Sequence, residues 1–335
     1  MVYFFILLYN YNRWYSVIDE IKKMPKVLLH IHLDGSVSIP LLSKLSGLSE
    51  EEVRSKCVLT KPYRRTDYYS YIDFCNNYMQ TKENLYLVSK DLVDNLVKEN
   101  VIYAEVRLTP CLHMERGLYF DDIISSVIAG LKSNPNIKVN LIVCMMRGAT
   151  KYMNSETLKY ARKYLDRGVC GIDITGDDDN YPLTLYSDLF KLATLEKIPF
   201  AVHAGDAKPD DLYEALVLHS KRISSGIKST MDINLLRLVY YKKVMLELCP
   251  TSNIMKKNVS ELAIHPVNFF LHNNFNISIN TNNMTVENTT VTNEYMKLID
   301  TFNFTIDDFK KMNINAIESS FLSKDEKNKY KQYFV

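Results

Sequence analysis

The chain has 335 residues, of which 47% are hydrophobic and 24% are charged, and 41 basic against 39 acidic residues leave a net charge of +2. These fractions are ordinary for a folded globular protein, and they exclude a disordered or collagen-like chain. The balanced charge argues against a nucleic-acid-binding protein, which usually carries a basic excess or a basic patch. The length suits two average domains or one large α/β barrel.

The first 23 residues are predicted to be an N-terminal extension, followed by a single domain over residues 24–335. An apolar run from Val2 to Tyr9 is too short to span a bilayer, and it lacks the basic region and cleavage site of a secretory signal. We therefore predict no integral membrane segment and expect this run to dock on the body of the protein. A membrane-surface anchor and a functional start at Met24 are the alternatives.

Cysteine usage indicates the compartment. The six cysteines include no pair with Cys-x-x-Cys spacing, and several lie inside apolar runs. Free buried thiols are typical of a reducing environment, so we expect a cytoplasmic protein. The cysteines are Cys57, Cys75, Cys111, Cys144, Cys170 and Cys249.

Eight apolar, β-branched runs alternate with helical patterns along the chain. Most are almost continuously hydrophobic, as parallel strands covered on both faces should be. The alternation predicts an α/β fold of the (β/α)8 TIM-barrel type rather than an open sheet. The first crossover, over residues 39–100, is much longer than the others and is expected to carry extra helices over the barrel mouth. The predicted strands are Val27–His32, Val101–Leu108, Lys138–Cys144, Gly171–Thr175, Phe200–His203, Arg222–Gly226, Val244–Leu248 and Asn276–Asn280.

Polar side chains gather where these strands end, which is where the chemistry of such barrels lies. His30 and His32 have the i, i+2 spacing that points two side chains to the same side of a strand. Alone, this pair is more simply interpreted as two buried core histidines. His203 ends the fifth strand and supplies a third imidazole at the equivalent height. Three histidines can bind zinc and leave one position for water, so the joint pattern predicts a metal site.

Several ordered motifs resemble those of the adenosine deaminase family of metal-dependent amidohydrolases. The resemblance covers nearly the whole chain from Pro25 onward, and the motifs follow the order of the predicted strands, several of them at strand ends. The motifs are Pro25–Gly35, Glu105-Val106-Arg107 with Pro110, Gly171-Ile172-Asp173 with Gly176-Asp177, His203-Ala204-Gly205, Cys249-Pro250-Thr251-Ser252-Asn253 and His265-Pro266.

The resemblance implies hydrolytic removal of ammonia from adenosine, giving inosine, as in purine salvage. It implies zinc as the cofactor, bound by His30, His32 and His203, with the family's fourth ligand, an aspartate, replaced here by Asn282. A neutral amide oxygen binds zinc more weakly than a carboxylate, so we expect a weakened metal site.

The resemblance also implies the positions of the acid, the base and the substrate contacts. Asp206 stands at the general-acid position, where the family has a glutamate, and Ser225 replaces the histidine that orients the zinc-bound hydroxide. Asn283 replaces a second aspartate that contacts the purine. Asp34 matches the residue that holds the ribose, and Gly176 matches a glycine whose backbone meets the purine.

These departures predict a catalytically impaired member of the family. Ser225 cannot act as a base at neutral pH, and the Asn282 amide cannot take a proton from water. Asp206 is one methylene shorter than the glutamate, and a misplacement of about 1 Å can cost on the order of 10²-fold in rate. His113, after the second strand, is the one loose candidate for a substitute base.

We therefore expect a protein that retains the fold and binds a purine nucleoside such as adenosine or inosine but deaminates it poorly. Two alternatives stay open. The chain is a working zinc-dependent deaminase of adenosine or another aminopurine with an altered site, or it is a non-catalytic interaction partner of another protein.

Overall fold

The computed structural model describes residues 17–63, 65–206 and 208–335. The apolar run over residues 2–9 therefore lies outside the described residues. Helix α1 covers residues 17–23 and buries Ile21 against the body. The boundary between the extension and the domain, after residue 23, stays a prediction. In the described ranges, no helix is long and apolar enough to cross a membrane.

All eight predicted strands are present in the described residues, and their ends differ from the predicted ends by at most two residues. Within each of two four-stranded sheets, neighbouring strands are parallel and lie in chain order. Single bridges join the two sheets at both seams, between Ile172 and Phe200 and between Ile31 and Asn282. The strands are β1 (Lys26–His32), β2 (Val101–Leu108), β3 (Lys138–Met146), β4 (Val169–Thr175), β5 (Val202–Ala204), β6 (Arg222–Ser225), β7 (Met245–Leu248) and β8 (Ile277–Ile279).

Helices separate the strands, so the architecture is the predicted TIM-barrel type. The long first crossover carries four helices, as expected, namely α2 (Ile39–Ser46), α3 (Glu50–Cys57), α4 (Arg65–Asn76) and α5 (Lys82–Lys98). The later helices are α6 (Phe120–Leu131), α7 (Lys151–Tyr164), α8 (Ser187–Leu195), α9 (Asp210–Val217), α10 (Ile233–Tyr241), α11 (Pro250–Met255), α12 (Val267–His272), α13 (Val291–Phe302), α14 (Ile306–Ser319) and α15 (Lys324–Lys331).

Local sequence signals explain where several helices begin. Ser49 precedes α3 and forms a reciprocal capping box with Glu52, and Ser323 does the same with Glu326 ahead of α15. In both, the serine hydroxyl accepts a hydrogen bond from the free backbone N–H of the glutamate, and the glutamate carboxylate accepts one from the serine backbone N–H. None of the six cysteines forms a disulfide, in agreement with the expected free thiols.

Candidate active site

The three predicted histidines meet at the carboxyl ends of β1 and β5. One ring nitrogen from each of His30, His32 and His203 lies within 4.8 Å of the others, and Nε2 of His32 is 3.2 Å from Nε2 of His203. Among the described residues this is the one group of three or more histidine, cysteine or acidic side chains close enough to hold a metal ion. The i, i+2 spacing on β1 therefore does point both side chains to one place.

Two of these imidazoles are held in the neutral form, which is the form that binds metals. Burial lowers the pKa of His30 to about 3, and the Arg107 guanidinium contributes to the shift. Burial also lowers the pKa of His32 well below its usual value, with His203 as the next cause. An unprotonated ring nitrogen offers its lone pair to a cation.

Buried carboxylates hold the far sides of two imidazole rings. Nδ1 of His203 lies 3.0 Å from Oδ2 of Asp173, and Nδ1 of His30 lies 3.2 Å from Oε2 of Glu247. The Asp173 carboxylate fixes the tautomer of His203, so that Nδ1 carries the proton and Nε2 faces the His32 ring. Partners of this kind are typical of metal-binding histidines.

Two arginines balance the carboxylates beneath the cluster. Arg107 donates to Asp173 at 2.8 Å and to Glu247 at 2.6 Å, while Arg222 donates to Glu247 at 2.7 Å and also pairs with Glu105. Burial alone would raise the pKa values of Asp173 and Glu247, but the neighbouring positive groups lower both well below their usual range. The network therefore keeps both carboxylates ionised, with each buried charge paired.

Asn282 occupies the fourth position of the cluster, after β8. Its Oδ1 atom lies 3.2 Å from Nε2 of His30. Its Nδ2 atom donates to Oγ of Ser252 and to Oε1 of Glu287, both at 2.9 Å. Burial raises the pKa of Glu287 to about 7. The donor set of three imidazole nitrogens and one amide oxygen fits a divalent metal such as zinc.

Asp206, which the resemblance places at the general-acid position, lines the cavity next to the cluster. Its Oδ2 atom lies 3.5 Å from Nζ of Lys256, which follows α11 and lines the same cavity. Both side chains are largely buried, so their attraction is screened less than that of a surface pair. Asp206 therefore belongs to an ion pair on the cavity wall.

The Ser225 side chain lies away from the reaction space. It ends β6 with a left-handed backbone, φ +76°, and its hydroxyl oxygen accepts a hydrogen bond of 3.0 Å from Nδ2 of Asn253. The residue is not part of the cavity wall. Left-handed backbone at a residue other than glycine costs on the order of 1 kcal/mol and is held by surrounding contacts.

The cavity beside the imidazoles is an open cleft whose wall includes Asp34, Gly176 and Asn283. Burial raises the pKa of Asp34 to about 6. Asn283 donates to the Tyr68 hydroxyl on α4, so the first crossover does reach over the site. A Cβ atom on Gly35 would lie 1.8 Å from Oδ1 of Asn283, which is why only glycine fits there.

One predicted candidate, His113, does not reach the site. His113 is fully buried after β2, lines no part of the cavity, and has a pKa lowered by burial to about 4. It is therefore badly placed as a base. Sequence reasoning missed Lys256, Glu247 and Glu287. For Glu247, a charged residue in the apolar strand Met245–Leu248 was the available signal.

Comparisons with known proteins agree with this geometry. A family model described as adenosine deaminase matches residues 25–333. The adenosine deaminase of Enterococcus faecalis is 33% identical over 321 residues, which cover 92% of this chain and 95% of that protein.

Solved structures show the same fold at lower identity. The Arabidopsis protein ADAL in complex with GMP is 22% identical with a TM-score of 0.86, covering 94% of this chain and 98% of that one. An amidohydrolase from Burkholderia ambifaria with bound zinc is 18% identical with a TM-score of 0.81, covering 95% of this chain and 91% of that one. With the family match extending from before β1 to the C-terminal helix and three histidines clustered at the strand ends, this chain belongs to the adenosine deaminase family.

Proposed function

We propose that this chain binds a divalent metal, zinc in the first instance, and a purine nucleoside, and that its hydrolytic deamination is strongly reduced. One contrast carries the proposal. The metal cluster retains its histidines and their carboxylate partners, whereas the positions that move protons beside it are altered.

Metal binding is supported by the neutral imidazoles and by Asp173 and Glu247 behind them. When bound, zinc in such a site lowers the pKa of a coordinated water so that hydroxide exists at neutral pH. The amide oxygen of Asn282 adds a fourth ligand without negative charge, which supports a lower affinity than a carboxylate would give.

Nucleoside binding is supported by buried acceptors on the cavity wall. Within the described residues, Oδ1 of Asp34, Oδ1 of Asn76 and Oγ1 of Thr109 make no hydrogen bond, although each residue lines the cavity and is at least nine-tenths buried. Buried polar atoms normally find partners. A neutral ligand with several hydroxyl and amino donors, such as a nucleoside, would supply them.

The reduced chemistry follows from three positions. The Ser225 hydroxyl is bound to Asn253 and does not face the cavity, so it cannot orient an attacking water. The Asn282 amide has no basic lone pair for a proton. Asp206 reaches the cavity but is engaged with Lys256. Loss of one acid–base group typically costs on the order of 10²–10⁴ in rate, and several losses at one centre need not multiply.

The test is a paired assay of turnover and binding. Zinc-supplemented protein is incubated with adenosine, and inosine formation is followed by absorbance, with His203→Ala as the metal-site control and the Enterococcus faecalis enzyme as the active control. We expect no turnover above the His203→Ala variant, together with adenosine and inosine binding by calorimetry. Absence of nucleoside binding would overturn the proposal.

A second candidate is a working deaminase with a rearranged centre. Asp206 remains on the cavity wall, and Lys256 adds a cation beside it that the family pattern did not predict. An ammonium near the imidazole cluster would take over part of the charge of the missing orienting histidine. Turnover that disappears in the His203→Ala variant would favour this function over the first.

We infer the cellular compartment of the protein from its free thiols alone. Five of the six free cysteines are buried and one is partly exposed. Unpaired thiols in this number support a reducing environment such as the cytoplasm.

A further inference from the structure

The orientation of one amide group decides whether the site has a fourth metal ligand. Only the oxygen of an asparagine side chain offers lone pairs to a cation, while its NH₂ group is a donor. The two ends have nearly the same size, so a half-turn about the last side-chain bond of Asn282 would exchange a ligand for a group that repels a metal. Something must therefore hold the oxygen toward His30, from whose Nε2 it lies 3.2 Å.

The main chain fixes where the amide is but not which way it points. The backbone N–H of Asn282 donates to the carbonyl oxygen of His30 at 3.2 Å, and its carbonyl oxygen accepts from the N–H of His32 at 2.8 Å. These bonds hold the Asn282 backbone against the end of β1. The left-handed backbone at this residue, φ +57°, is one that asparagine tolerates well. The remaining freedom is the side-chain flip.

Two hydrogen bonds from the amide nitrogen remove that freedom. Nδ2 of Asn282 donates to Oε1 of Glu287 and to Oγ of Ser252, both at 2.9 Å. Glu287 and Ser252 are each 2% exposed, so water does not compete for these bonds. With the amide reversed, its oxygen would face the acceptor oxygens of Glu287, and two acceptors in contact repel.

We propose that Glu287 is a positioning residue that, with Ser252, holds the Asn282 amide oxygen toward the three imidazoles and so makes a three-histidine, one-asparagine metal site. The inference rests on the metal-binding part of the proposed function and does not depend on whether the protein deaminates. The inference explains why the Glu287 carboxylate is buried there. Among the described residues, this carboxylate has no partner of opposite charge at hydrogen-bond distance.

The arrangement has a consequence for the family's own ligand. An aspartate at position 282 would place a carboxylate oxygen where Nδ2 now lies, 2.9 Å from Oε1 of Glu287. Two carboxylate oxygens at this distance repel each other, and no proton-bearing nitrogen remains between the two side chains to bridge them. Asparagine at 282 and glutamate at 287 are therefore a matched pair. Changing one of them alone should lower the zinc affinity more than changing both.

The experiment measures zinc affinity, with a chromophoric chelator as competitor, in a double-mutant cycle. The proteins are wild type, Glu287→Gln, Asn282→Asp and the combination of both. Glu294→Gln serves as the matched control, because Glu294 is also fully buried near this loop but accepts from the Thr289 hydroxyl and the Thr251 N–H instead. Cobalt-substituted proteins give a second readout, since their visible absorption reports the ligand set.

We expect Glu287→Gln to weaken zinc binding about 10–100-fold, as loss of a partner behind a metal ligand typically does, and Glu294→Gln to change it less than threefold. We also compare the effect of Asn282→Asp on zinc affinity in two backgrounds. The factor by which it raises the affinity should be at least ten times larger in the Glu287→Gln protein than in wild type. The cobalt spectrum should change in Glu287→Gln but not in Glu294→Gln.

Equal affinities of the Glu287→Gln and Glu294→Gln proteins, with additive effects in the cycle, would overturn the inference and leave the proposed metal binding intact. If wild type itself binds no zinc, both this inference and the metal-binding proposal fail. If Glu287→Gln does not fold, the cycle is run with Glu287→Ser instead. The inference then requires that Asn282→Asp raise the zinc affinity of the Glu287→Ser protein but not that of wild type.

Discussion

Asn253 donates a hydrogen bond from Nδ2 to the Ser225 hydroxyl oxygen at 3.0 Å, and its Oδ1 atom lies 3.1 Å from Nε2 of His265. This chain of contacts holds Ser225 against α11, the helix after β7, and Ser225 does not line the cavity. Under the proposed function, the scaffold at this position is intact while its side chain no longer serves the reaction.

Restoring two groups should restore turnover. The combined change Ser225→His and Asp206→Glu puts back an imidazole that can orient water and a carboxyl group of the family's length. We expect the adenosine deamination rate to rise by about 10²-fold or more, in line with the cost of losing such groups. The measurement is kcat for adenosine in zinc-loaded protein.

Each single change is the control for the pair. Ser225→His alone should recover less, because the shorter Asp206 side chain remains paired with Lys256. A wild-type rate already equal to that of the doubly restored protein would contradict the view that these positions limit catalysis.

Asp173 should strengthen metal binding although it is not itself one of the clustered metal-binding residues. It accepts from the His203 backbone N–H at 3.0 Å and holds the ring at Nδ1. Asp173→Asn removes the charge that fixes the tautomer, so we expect zinc affinity to fall about 10–100-fold. Asp121→Asn, at an exposed ion pair with Lys163, is the control and should leave zinc affinity unchanged.

Much of the fold could be predicted from the sequence because buried parallel strands leave a strong hydrophobic signal. All eight runs are strands, and the histidine spacing on β1 correctly predicts a shared direction. The short strands β5 and β8 were predicted too long, because β5 begins at Val202 rather than at Phe200, and β8 lacks one asparagine at each end. Hydrophobicity cannot mark the start of β5, since Phe200 and Ala201 are apolar but lie outside the strand.

The charged groups that complete the site were harder to predict. Nothing in the segment Met255-Lys256-Lys257 says which lysine faces the cavity, because both follow a short helix and only the three-dimensional turn points Lys256 inward while Lys257 is exposed. Glu287 lies five residues beyond Asn282 in an irregular loop, without periodicity to indicate burial. Such contacts depend on loop geometry, which local sequence patterns do not encode.

The charges on the cavity wall predict a preference for nucleosides over nucleotides. Four aspartates line it, whereas the guanidinium of Arg147 is committed to Asp211 at 2.9 Å and Lys256 pairs with Asp206. A phosphate would add two negative charges to this surface. We expect AMP to bind at least tenfold more weakly than adenosine in calorimetry at low salt, and the difference to narrow as salt rises. The lining aspartates are Asp34, Asp73, Asp178 and Asp206.

A charge-neutralising variant sharpens this comparison. Asp178→Asn should improve AMP binding more than adenosine binding, because it removes one repelling charge without touching the imidazoles. Tighter binding of AMP than of adenosine by the wild-type protein would contradict the preference and would instead place this chain with nucleotide-binding relatives.

Acid should destabilise the protein through buried neutral histidines, and His265 offers a clean test. Its Nδ1 atom accepts from the Val267 backbone N–H at 3.1 Å while Nε2 faces Oδ1 of Asn253, so both ring nitrogens are used by the neutral form. Burial lowers the pKa of His265 to about 4. Between about pH 6.5 and pH 4 the unfolded chain therefore binds a proton that the folded chain does not, and the free energy of unfolding falls as the pH falls through this window.

The measurement is urea unfolding of wild type and His265→Gln at pH 7.0 and pH 5.0. We expect wild type to lose about 2 kcal/mol more than the variant between these two pH values, because glutamine can replace both hydrogen bonds without titrating. Raised carboxyl pKa values, such as that of Asp34, act in the opposite direction but equally in both proteins, so they cancel in the difference. The exposed His272→Gln change is the control and should lose the same free energy as wild type. Parallel losses in wild type and His265→Gln would show that His265 is protonated in the folded protein.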